Sequence, residues 1–478
     1  MNPKFTRFRP AGAPAPWLRT MLLAGLLTLS SGCGDGVDEA RIPPPVILIS
    51  LDTVRADTLS CYGGPEGATP RLDEFAAGAA RFERCVSSAP WTLPSHASMF
   101  TGLYPLEHGA HTFLPGAGHQ GDNVFALHPR FETLAEALGA RGYATAGIVA
   151  NSIYLRPGLG LEAGFQTWDV RRQSGAKVTD RALAWLDETA PEDGAPARPR
   201  FLFINYLDAH RPYATGDPND RPRAELDELI AQVMVRGEEP GELGERVQGL
   251  HQKAVSHLDA EIGRLLEGLK ERGLFEPAII VITSDHGEAF GAHGTVEHSK
   301  DVYEDLVRVP LMVKGPLQKV GSTPGEPASS VDVPGLIASH LAGTDAESAS
   351  DLFSRVPGSH LVLSENHFSR LGDLVRYGDR FRRERRAIYD GDLKLIIDSS
   401  GRHELYNLAL DPDEMDNLML KDAAGFKRLI GADAAFAERN RFRGEPALPG
   451  QLTELERAEL GVLGYGPTKD DPVRPSTK

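Results

Sequence analysis

The sequence has little cysteine and no dense run of basic residues, and both absences narrow what the protein can be. Only three cysteines occur in 478 residues, so if Cys33 is lipidated, Cys61 and Cys85 are left as the one possible disulfide. The sequence alone leaves open whether they pair. The formal net charge is −16, which argues against nucleic-acid binding, because phosphate contacts require a surface rich in Lys and Arg. If the substrate is an anion, the positive charge of a bound metal ion must attract it, because the net charge of the protein would repel it.

The sequence also lacks an internal repeat and an apolar run long enough to span a bilayer as a mature helix. Near the N-terminus, Lys4, Arg7, Arg9 and Arg19 precede a short apolar run, residues 21–29. This pattern is typical of a secretory signal and predicts export.

The residues that follow the apolar run are similar to a bacterial lipoprotein cleavage box, Leu29-Ser30-Ser31-Gly32-Cys33, although Ser30 stands where an aliphatic residue is usual. We expect residues 1–33 to be a signal peptide of lipoprotein type and residues 34–45 to be a linker. The protein would then be periplasmic or in the cell envelope, attached to the membrane only through a lipid on Cys33. The alternative is plain signal cleavage, which leaves Cys33 as an ordinary thiol.

Apolar runs and amphipathic patterns alternate along the chain, which has enough residues for two structural units. The runs predict fully buried strands at residues 46–51, 144–149, 201–207 and 278–283. Apolar residues at helical spacing predict helices at residues 69–80, 131–141, 178–188 and 245–272. This alternation predicts an α/β fold with a parallel, helix-covered sheet.

The pattern changes after about Pro357, where short strands are predicted at residues 361–364, 386–389 and 393–397. A hairpin turn, Asp390-Gly391-Asp392, separates the last two. We therefore expect a catalytic domain over residues 46–357 and a C-terminal subdomain over residues 358–466. The tail at residues 467–478 is rich in Pro, Asp, Lys and Thr, and this composition predicts disorder.

Acidic and histidine side chains stand where the predicted strands end. Asp52 follows the first strand, Asp208 and His210 follow the third, and Asp285 with His286 follow the fourth. Ligands of such sheets gather at the carboxyl ends of the strands. Carboxylate oxygens and imidazole nitrogens suit a divalent cation, which would also offset the repulsion between the two acids. The alternative is that Asp52 only caps a turn and that Asp285 and His286 form a hydrogen-bonded pair.

Four segments, in this order, resemble the motifs of the sulfatase family within the alkaline phosphatase superfamily. They are I-L-I-S-L-D-T-V-R-A-D at residues 47–57, A-P-W-T-L-P-S-H-A-S-M-F-T-G at 89–102, V-I-T-S-D-H-G-E at 281–288 and E-L-Y-N-L-A-L-D-P-D-E-M-D-N-L at 404–418. The resemblance implies an alkaline-phosphatase-like fold, in which helices cover a mostly parallel central sheet and a small antiparallel sheet forms the C-terminal subdomain. It also implies a metal-dependent enzyme that acts on sulfuric or phosphoric esters.

The second segment departs from the family at two positions. Thr92 occupies the place of the cysteine or serine that sulfatases convert to formylglycine, and His96 replaces the arginine that steadies this nucleophile. Threonine is not a known substrate for that conversion. Thr92 would therefore act as an alkoxide that attacks phosphorus and forms a phosphothreonine, at a helix start whose N–H groups favour an anion. The alternative is that Thr92 only caps the helix predicted at residues 94–100 and that catalysis is lost.

The resemblance implies a metal set made of Asp52, Thr92, Asp285 and His286. Many sulfatases have a second aspartate where this sequence has Thr53, so the set is closer to that of phosphonate monoester hydrolases and phosphoglycerol transferases. One divalent cation is expected, Ca²⁺, Mn²⁺ or Mg²⁺, with Zn²⁺ possible because of the histidine.

Two histidines are expected to act on the substrate. His210 begins His210-Arg211-Pro212-Tyr213, which resembles the family's H-x-P-Y element and makes it the leading candidate for a general acid. His298, preferred to His293, precedes Tyr303-Glu304 and is expected to contact the transferring group.

Three further residues have two readings each. His96 lies one turn after Thr92, where it can hydrogen-bond the same oxygen or act as a base. Arg55 can pair with the anion or be a solvated surface residue. Asn151 can donate to an anionic oxygen or be a strand-end turn residue. His108 and His111 are expected to be structural.

Together these features predict an exported, metal-dependent hydrolase or transferase of sulfate or phosphate esters that reacts through Thr92. Family resemblance favours sulfuric esters, whereas the threonine favours phosphate esters or phosphonates. The second hypothesis is a catalytically inactive binding protein for sulfated or phosphorylated polysaccharides.

Overall fold

The computed structural model describes residues 42–114, 116, 123–191, 197–341 and 353–449. The predicted signal peptide, the predicted lipid site at Cys33, the predicted linker up to residue 41 and the predicted disordered tail lie outside these residues. The strands are, in chain order, β1 Val46–Leu51, β2 Ala80–Arg81, β3 Cys85–Val86, β4 Ala144–Val149, β5 Thr167–Val170, β6 Arg200–Tyr206, β7 Ile279–Thr283, β8 Ala289–Phe290, β9 Val296–Glu297, β10 Arg308–Val309, β11 Leu311–Lys314, β12 Ala328–Ser329, β13 Val362–Asn366, β14 Arg385–Asp390, β15 Leu393–Asp398 and β16 Glu404–Asn407.

Helices separate most of these strands. They are α1 Pro70–Ala77, α2 Thr92–Thr101, α3 Pro105–His108, α4 Leu134–Ala140, α5 Gly175–Glu188, α6 Pro222–Leu229, α7 Gly241–Glu271, α8 Glu304–Val307, α9 Val333–Leu341, α10 Leu371–Tyr377 and α11 Ala423–Asn440. None of these helices combines the length and the apolarity that crossing a bilayer requires.

Seven strands form one large sheet in the order β2-β11-β7-β1-β6-β4-β5. The strands from β7 to β5 run parallel, while β11 is antiparallel to both β7 and β2. Every residue of β1, β4, β6 and β7 is buried, which requires cover on both faces of the sheet. The predicted helix-covered, mostly parallel sheet is therefore confirmed.

The register of the central strands places the candidate residues side by side. Ser50 of β1 lies opposite Asn205 of β6 and Thr283 of β7. The chain segments that leave these three strands therefore emerge at the same edge of the sheet, beyond the carboxyl ends, as is usual for ligand sites in such folds.

A separate antiparallel sheet has the order β13-β14-β15-β16. The sequence predicted three of these strands and missed β16 and the helix α11. Leu363, Ile388, Leu395 and Leu405 cluster with Leu429 and Phe436 of α11. Alternate residues of the same strands, among them Ala387 and Ile396, cluster instead with Val302 to Val307. The sheet is thus buried on two sides, although the division predicted at residue 357 stays a prediction.

The disulfide that the sequence left open is not formed. Cys61 and Cys85 are both free thiols in the structure.

Candidate active site

Ser284 joins the ends of the two strands that carry the acidic residues. Its Oγ lies 2.6 Å from the carbonyl oxygen of Leu51 and 2.7 Å from that of His286, and it accepts the N–H of Val54 at 3.1 Å. The turn after β1 is therefore tied to the turn after β7. Thr53 completes this junction in the left-handed region, at φ 62°, and donates its N–H to Asp285 Oδ1 at 3.3 Å.

Asp52, Asp285 and His286 come together at this junction and are fully buried. The Nε2 atom of His286 lies 3.4 Å from Asp285 Oδ2 and 3.9 Å from Asp52 Oδ1. Its Nδ1 is 2.9 Å from the carbonyl oxygen of Gly287. A proton on Nδ1 that is donated to this carbonyl leaves the lone pair on Nε2, which faces the two carboxylates.

The two carboxylates are placed where their negative charge is unfavourable. Burial, reinforced by the charge of Asp285, raises the pKa of Asp52 to about 8. Burial also raises the pKa of Asp285 to about 7, although N–H groups of Thr53 and His286 oppose this shift. Two such groups in contact need a nearby positive charge if both are to be ionised at neutral pH.

The three side chains fit the divalent cation expected from the sequence. One ligand atom from each lies within 4.8 Å of the others. Asp52 Oδ1 and Asp285 Oδ2 are buried and have no hydrogen-bond partner in the part of the chain that the structure describes. Carboxylate oxygens that lack partners beside an imidazole lone pair form the donor set of a divalent metal site. Asp52, Asp285 and His286 would therefore hold the ion.

Thr92 begins α2 and faces the same three residues. The N-cap is Trp91, not Thr92, so the reading of Thr92 as a plain cap does not match the structure. The Oγ1 atom of Thr92 lies 3.5 Å from His286 Nε2. One turn later, Ser95 Oγ donates to the carbonyl oxygen of Asp285 at 2.7 Å, which fixes α2 against the strand end.

Asn151 connects the candidate nucleophile to a candidate ligand. Its Nδ2 group donates to Asp52 Oδ2 at 2.9 Å and to Thr92 Oγ1 at 3.3 Å. Its Oδ1 accepts the N–H groups of Ile153 and Tyr154, so the side chain also shapes the turn after β4. These contacts match the reading of Asn151 as a strand-end turn residue. Its amide is directed at protein oxygens, and donation to a substrate oxygen stays a prediction.

His96 does not make the contact that its position suggested. Its Nδ1 is 2.8 Å from the carbonyl oxygen of Thr92, not from the hydroxyl, and its Nε2 is 2.9 Å from Ser50 Oγ. Since the residue is one helical turn after Thr92, the ring bonds to the backbone of α2 instead. Burial lowers the pKa of His96 to about 3, so the ring is neutral at physiological pH.

Three imidazoles line one side of the site. The ring centroids of His286 and His298 are 4.4 Å apart, and those of His298 and His210 are 5.1 Å apart. The Nδ1 atom of His210 is 3.0 Å from the carbonyl oxygen of Arg211, and that of His298 is 3.0 Å from Glu288 Oε1. Burial lowers the pKa of His210 to about 3, and burial with the charge of His286 lowers that of His298.

The chain around His298 is held tightly. Glu297 and Ser299 both lie in the left-handed region, with φ values of 64° and 68°. Such conformations cost on the order of 1–3 kcal/mol each and persist only where surrounding contacts enforce them. Lys300 Nζ donates to the carbonyl oxygen of His298 at 3.0 Å, and the N–H of Ser299 donates to the carbonyl oxygen of Pro90, just before α2, at 2.9 Å.

Arg55 is committed to a carboxylate. Its guanidinium contacts both oxygens of Asp57, at 2.8 and 2.5 Å, and reaches the carbonyl oxygen of Glu288 at 3.2 Å. The predicted pairing with a substrate anion therefore meets a competing bidentate partner. His293, the alternative to His298, stacks on Tyr303 with 3.7 Å between ring centroids, away from the imidazole group.

Two residues that hydrogen-bond to histidines of the site were not predicted from the sequence. Glu288, at the end of the V-I-T-S-D-H-G-E segment, is the partner of His298, and Ser50 is the partner of His96. Glu288 belongs to the V-I-T-S-D-H-G-E motif, but its partner His298 lies ten residues further along the chain, outside that motif. His108 and His111 make structural contacts: His108 Nε2 lies 3.1 Å from Ser98 Oγ, and His111 stacks on His367.

The geometry predicts that divalent cations bind to and stabilise the protein. Adding Mn²⁺ or Ca²⁺ to protein treated with a chelator is expected to raise the melting temperature. At a cation concentration of 100 times Kd, the free energy of unfolding should increase by about 2.7 kcal/mol. Asp285→Asn is expected to abolish the shift. Asp259→Asn is the matched control, because it removes another buried carboxylate, which caps Arg71 and Leu72, outside the site. An equal shift in Asp285→Asn and wild-type protein would contradict the assignment.

Comparisons with known proteins identify the family. A family model described as Sulfatase matches residues 44–344. The uncharacterized sulfatase YidJ of Escherichia coli (strain K12) is 24% identical over 441 residues, which cover 79% of this chain and 83% of that protein.

Solved structures share the fold. The phosphonate monoester hydrolase of Agrobacterium radiobacter has a TM-score of 0.59 and 19% identity, over 83% of this chain and 95% of its own. The protein BT4656 in complex with its substrate D-glucosamine-2-N,6-O-disulfate has a TM-score of 0.60 and 20% identity, over 83% and 99% of the two chains. The family match covers more than half of the chain, and the protein therefore belongs to the sulfatase family of hydrolases.

Proposed function

We propose that the protein hydrolyses phosphate esters or phosphonates through a covalent intermediate on Thr92. The observation that carries this proposal is the position of Thr92 Oγ1, 3.5 Å from His286 Nε2 and 3.3 Å from Asn151 Nδ2. The hydroxyl thus stands beside the candidate metal ligands, at the start of a helix whose first N–H groups favour an anionic oxygen.

The residue type supports phosphorus as the electrophile. A formylglycine hydrate can expel sulfate by collapsing to an aldehyde, whereas threonine has a secondary alcohol and lacks this route. A phosphothreonine can instead be resolved by water that attacks phosphorus. The named relatives support both ester classes, since one is a phosphonate monoester hydrolase and another binds a sulfated sugar as its substrate.

Two side chains carry the proposed reaction. Thr92 forms and breaks the covalent bond to phosphorus, and His210 transfers the proton. A bound divalent cation would supply charge neutralisation for the two carboxylates, a lower pKa for the Thr92 hydroxyl and polarisation of the ester. Before the attack, the Thr92 hydroxyl loses its proton to solvent and His210 takes one up from solvent beside the bound ester anion. The Thr92 alkoxide oxygen then forms a bond to phosphorus as the bond from phosphorus to the leaving oxygen breaks. His210 gives a proton to that leaving oxygen, and its neutral ring then takes one from the attacking water, which releases Thr92.

The rival function is a binding protein without turnover for sulfated or phosphorylated polysaccharides. The orphaned oxygens of Asp52 and Asp285, beside a helix-start hydroxyl, favour the enzyme. A pure binder has little need for this set.

Removing the nucleophile tests both functions. Thr92→Ala is expected to lower kcat by at least about 10³-fold on an aryl phosphodiester, and Thr92→Ser to retain activity. Mass spectrometry of wild-type protein after brief incubation should show a phosphate adduct on the peptide that contains Thr92. Aryl sulfate turnover that Thr92→Ala abolishes would overturn the preference for phosphorus, and binding without turnover in wild-type protein would favour the rival.

The role of His210 is tested with aryl esters whose leaving phenols differ in pKa. Because a general acid matters most for basic leaving groups, His210→Asn is expected to lower kcat by about 10²–10⁴-fold for unsubstituted phenyl esters. Nitrophenyl esters should be affected much less. A uniform loss across the series would remove His210 from the acid role.

Export with a lipid on Cys33 is a separate proposal, supported by the basic residues, the apolar run and the box that ends at Cys33. Full-length protein expressed in bacteria is expected to incorporate labelled palmitate and to partition into detergent, and Cys33→Ser to do neither. Soluble, unlabelled wild-type protein in the periplasm would indicate plain signal cleavage.

A further inference from the structure

A buried ion pair connects the two loops that carry the substrate-facing histidines. Arg211, directly after His210, pairs with Glu297, directly before His298. The side chains are 4% and 7% exposed. Arg211 also contacts Asp227 Oδ1 at 2.8 Å, and Lys300 Nζ lies 3.5 Å from Glu297 Oε2. One interaction therefore spans two segments that are 86 residues apart in the chain.

Each partner is in a position to orient its neighbouring histidine. The carbonyl oxygen that accepts from His210 Nδ1 belongs to Arg211 itself, so the residue that the ion pair holds is also the one that sets this ring. Glu297 is left-handed, at φ 64°, and the backbone at His298 follows from that conformation. The ion pair therefore restrains the backbone next to both imidazoles.

Charge keeps this pair ionised. Burial alone would raise the pKa of Glu297, but the charges of Arg211 and Lys300 outweigh it and lower that pKa to about 2. A depressed pKa contributes stability that is fully present above the ordinary value of 4.5 and is lost as the pH falls towards 2. At any working pH near neutrality, the contact is constant.

We infer that Arg211 and Glu297 are positioning residues that hold His210 at a fixed distance and angle to His298, and so aim the general acid at the leaving oxygen. This inference rests on the acid role proposed for His210. The ion pair itself neither donates nor accepts the catalytic proton, which passes from the His210 ring to the leaving oxygen. Its loss should therefore act as a misalignment of that ring.

The test uses the full chain and the same series of aryl esters. Glu297→Gln, nearly equal in shape, and Arg211→Gln are expected to lower kcat for phenyl esters by about 10²-fold, the scale of an ångström-sized misplacement. The loss for nitrophenyl esters should be within about 3-fold, and KM should change little. Arg211→Lys should restore most of the activity. The double variant should lose no more than either single one, because both remove one interaction.

A matched control separates positioning from general stability. Arg386→Gln breaks another arginine cluster, in which the half-buried Arg386 contacts Glu365 at 2.8 Å and Asp433 at 2.5 Å in the small sheet. It is expected to lower the melting temperature while its effect on kcat stays independent of the leaving group.

The outcomes distinguish the positioning role of Arg211 and Glu297 from the acid role of His210. A steep series for His210→Asn with a flat one for Glu297→Gln and Arg211→Gln overturns this inference and leaves the proposed function intact. A flat series for His210→Asn overturns the acid role itself. If Arg211→Gln does not fold, Glu297→Gln decides the question, because a flat series for it overturns the inference, and Arg211→Lys is the folded control that should stay near wild type.

Discussion

The site depends on one electrostatic constraint, the burial of Asp52 and Asp285 side by side at the ends of adjacent parallel strands. The parallel pairing of β1 and β7 ends at Ser50 and Thr283, so the residues that follow, Asp52 and Asp285, leave the sheet at the same edge. The Ser284 bridge, the left-handed Thr53 and the amide of Asn151 all act to hold this arrangement. Such an arrangement is unfavourable in an apoprotein and favourable around a divalent cation, so cation binding and the order of this edge of the sheet are coupled.

The remaining polar groups of the site are mostly neutral. His96, His210 and His298 all have lowered pKa values, because burial opposes their charged forms. Arg55, the cation nearest to the first aspartate in the sequence, is paired with Asp57. An incoming ester anion would therefore be balanced chiefly by the metal. A protonated His210 is favoured only when such an anion lies beside it, which links the charge of the acid to the presence of substrate.

The sequence predicted the parts of this molecule that follow from local pattern. Continuous apolar runs predicted β1, β4, β6 and β7 to within a residue or two, and the residues after them supplied Asp52, Asp285 and His286. The sequence did not predict that Trp91 is the N-cap residue of α2, that Ser50 hydrogen-bonds to His96 or that Glu288 hydrogen-bonds to His298. Those contacts depend on the direction of side chains from different strands and loops, which periodicity does not encode. β16 and α11 were missed because neither has a strong apolar period.

The same distinction explains where the ion pair of Arg211 and Glu297 lies. Asp52, Asp285 and His286 directly follow strands of the large sheet, so backbone hydrogen bonds already fix their positions. His210 lies four residues beyond the end of β6, and His298 follows β9, a strand of only two residues that pairs with β8 outside the large sheet. A catalytic ring on a loop must be held by side-chain contacts if it is to keep an accurate orientation. The pair links the segments of His210 and His298 to each other. The N–H of Ser299, which donates to the carbonyl oxygen of Pro90, links them in turn to the chain that enters α2, where Thr92 lies.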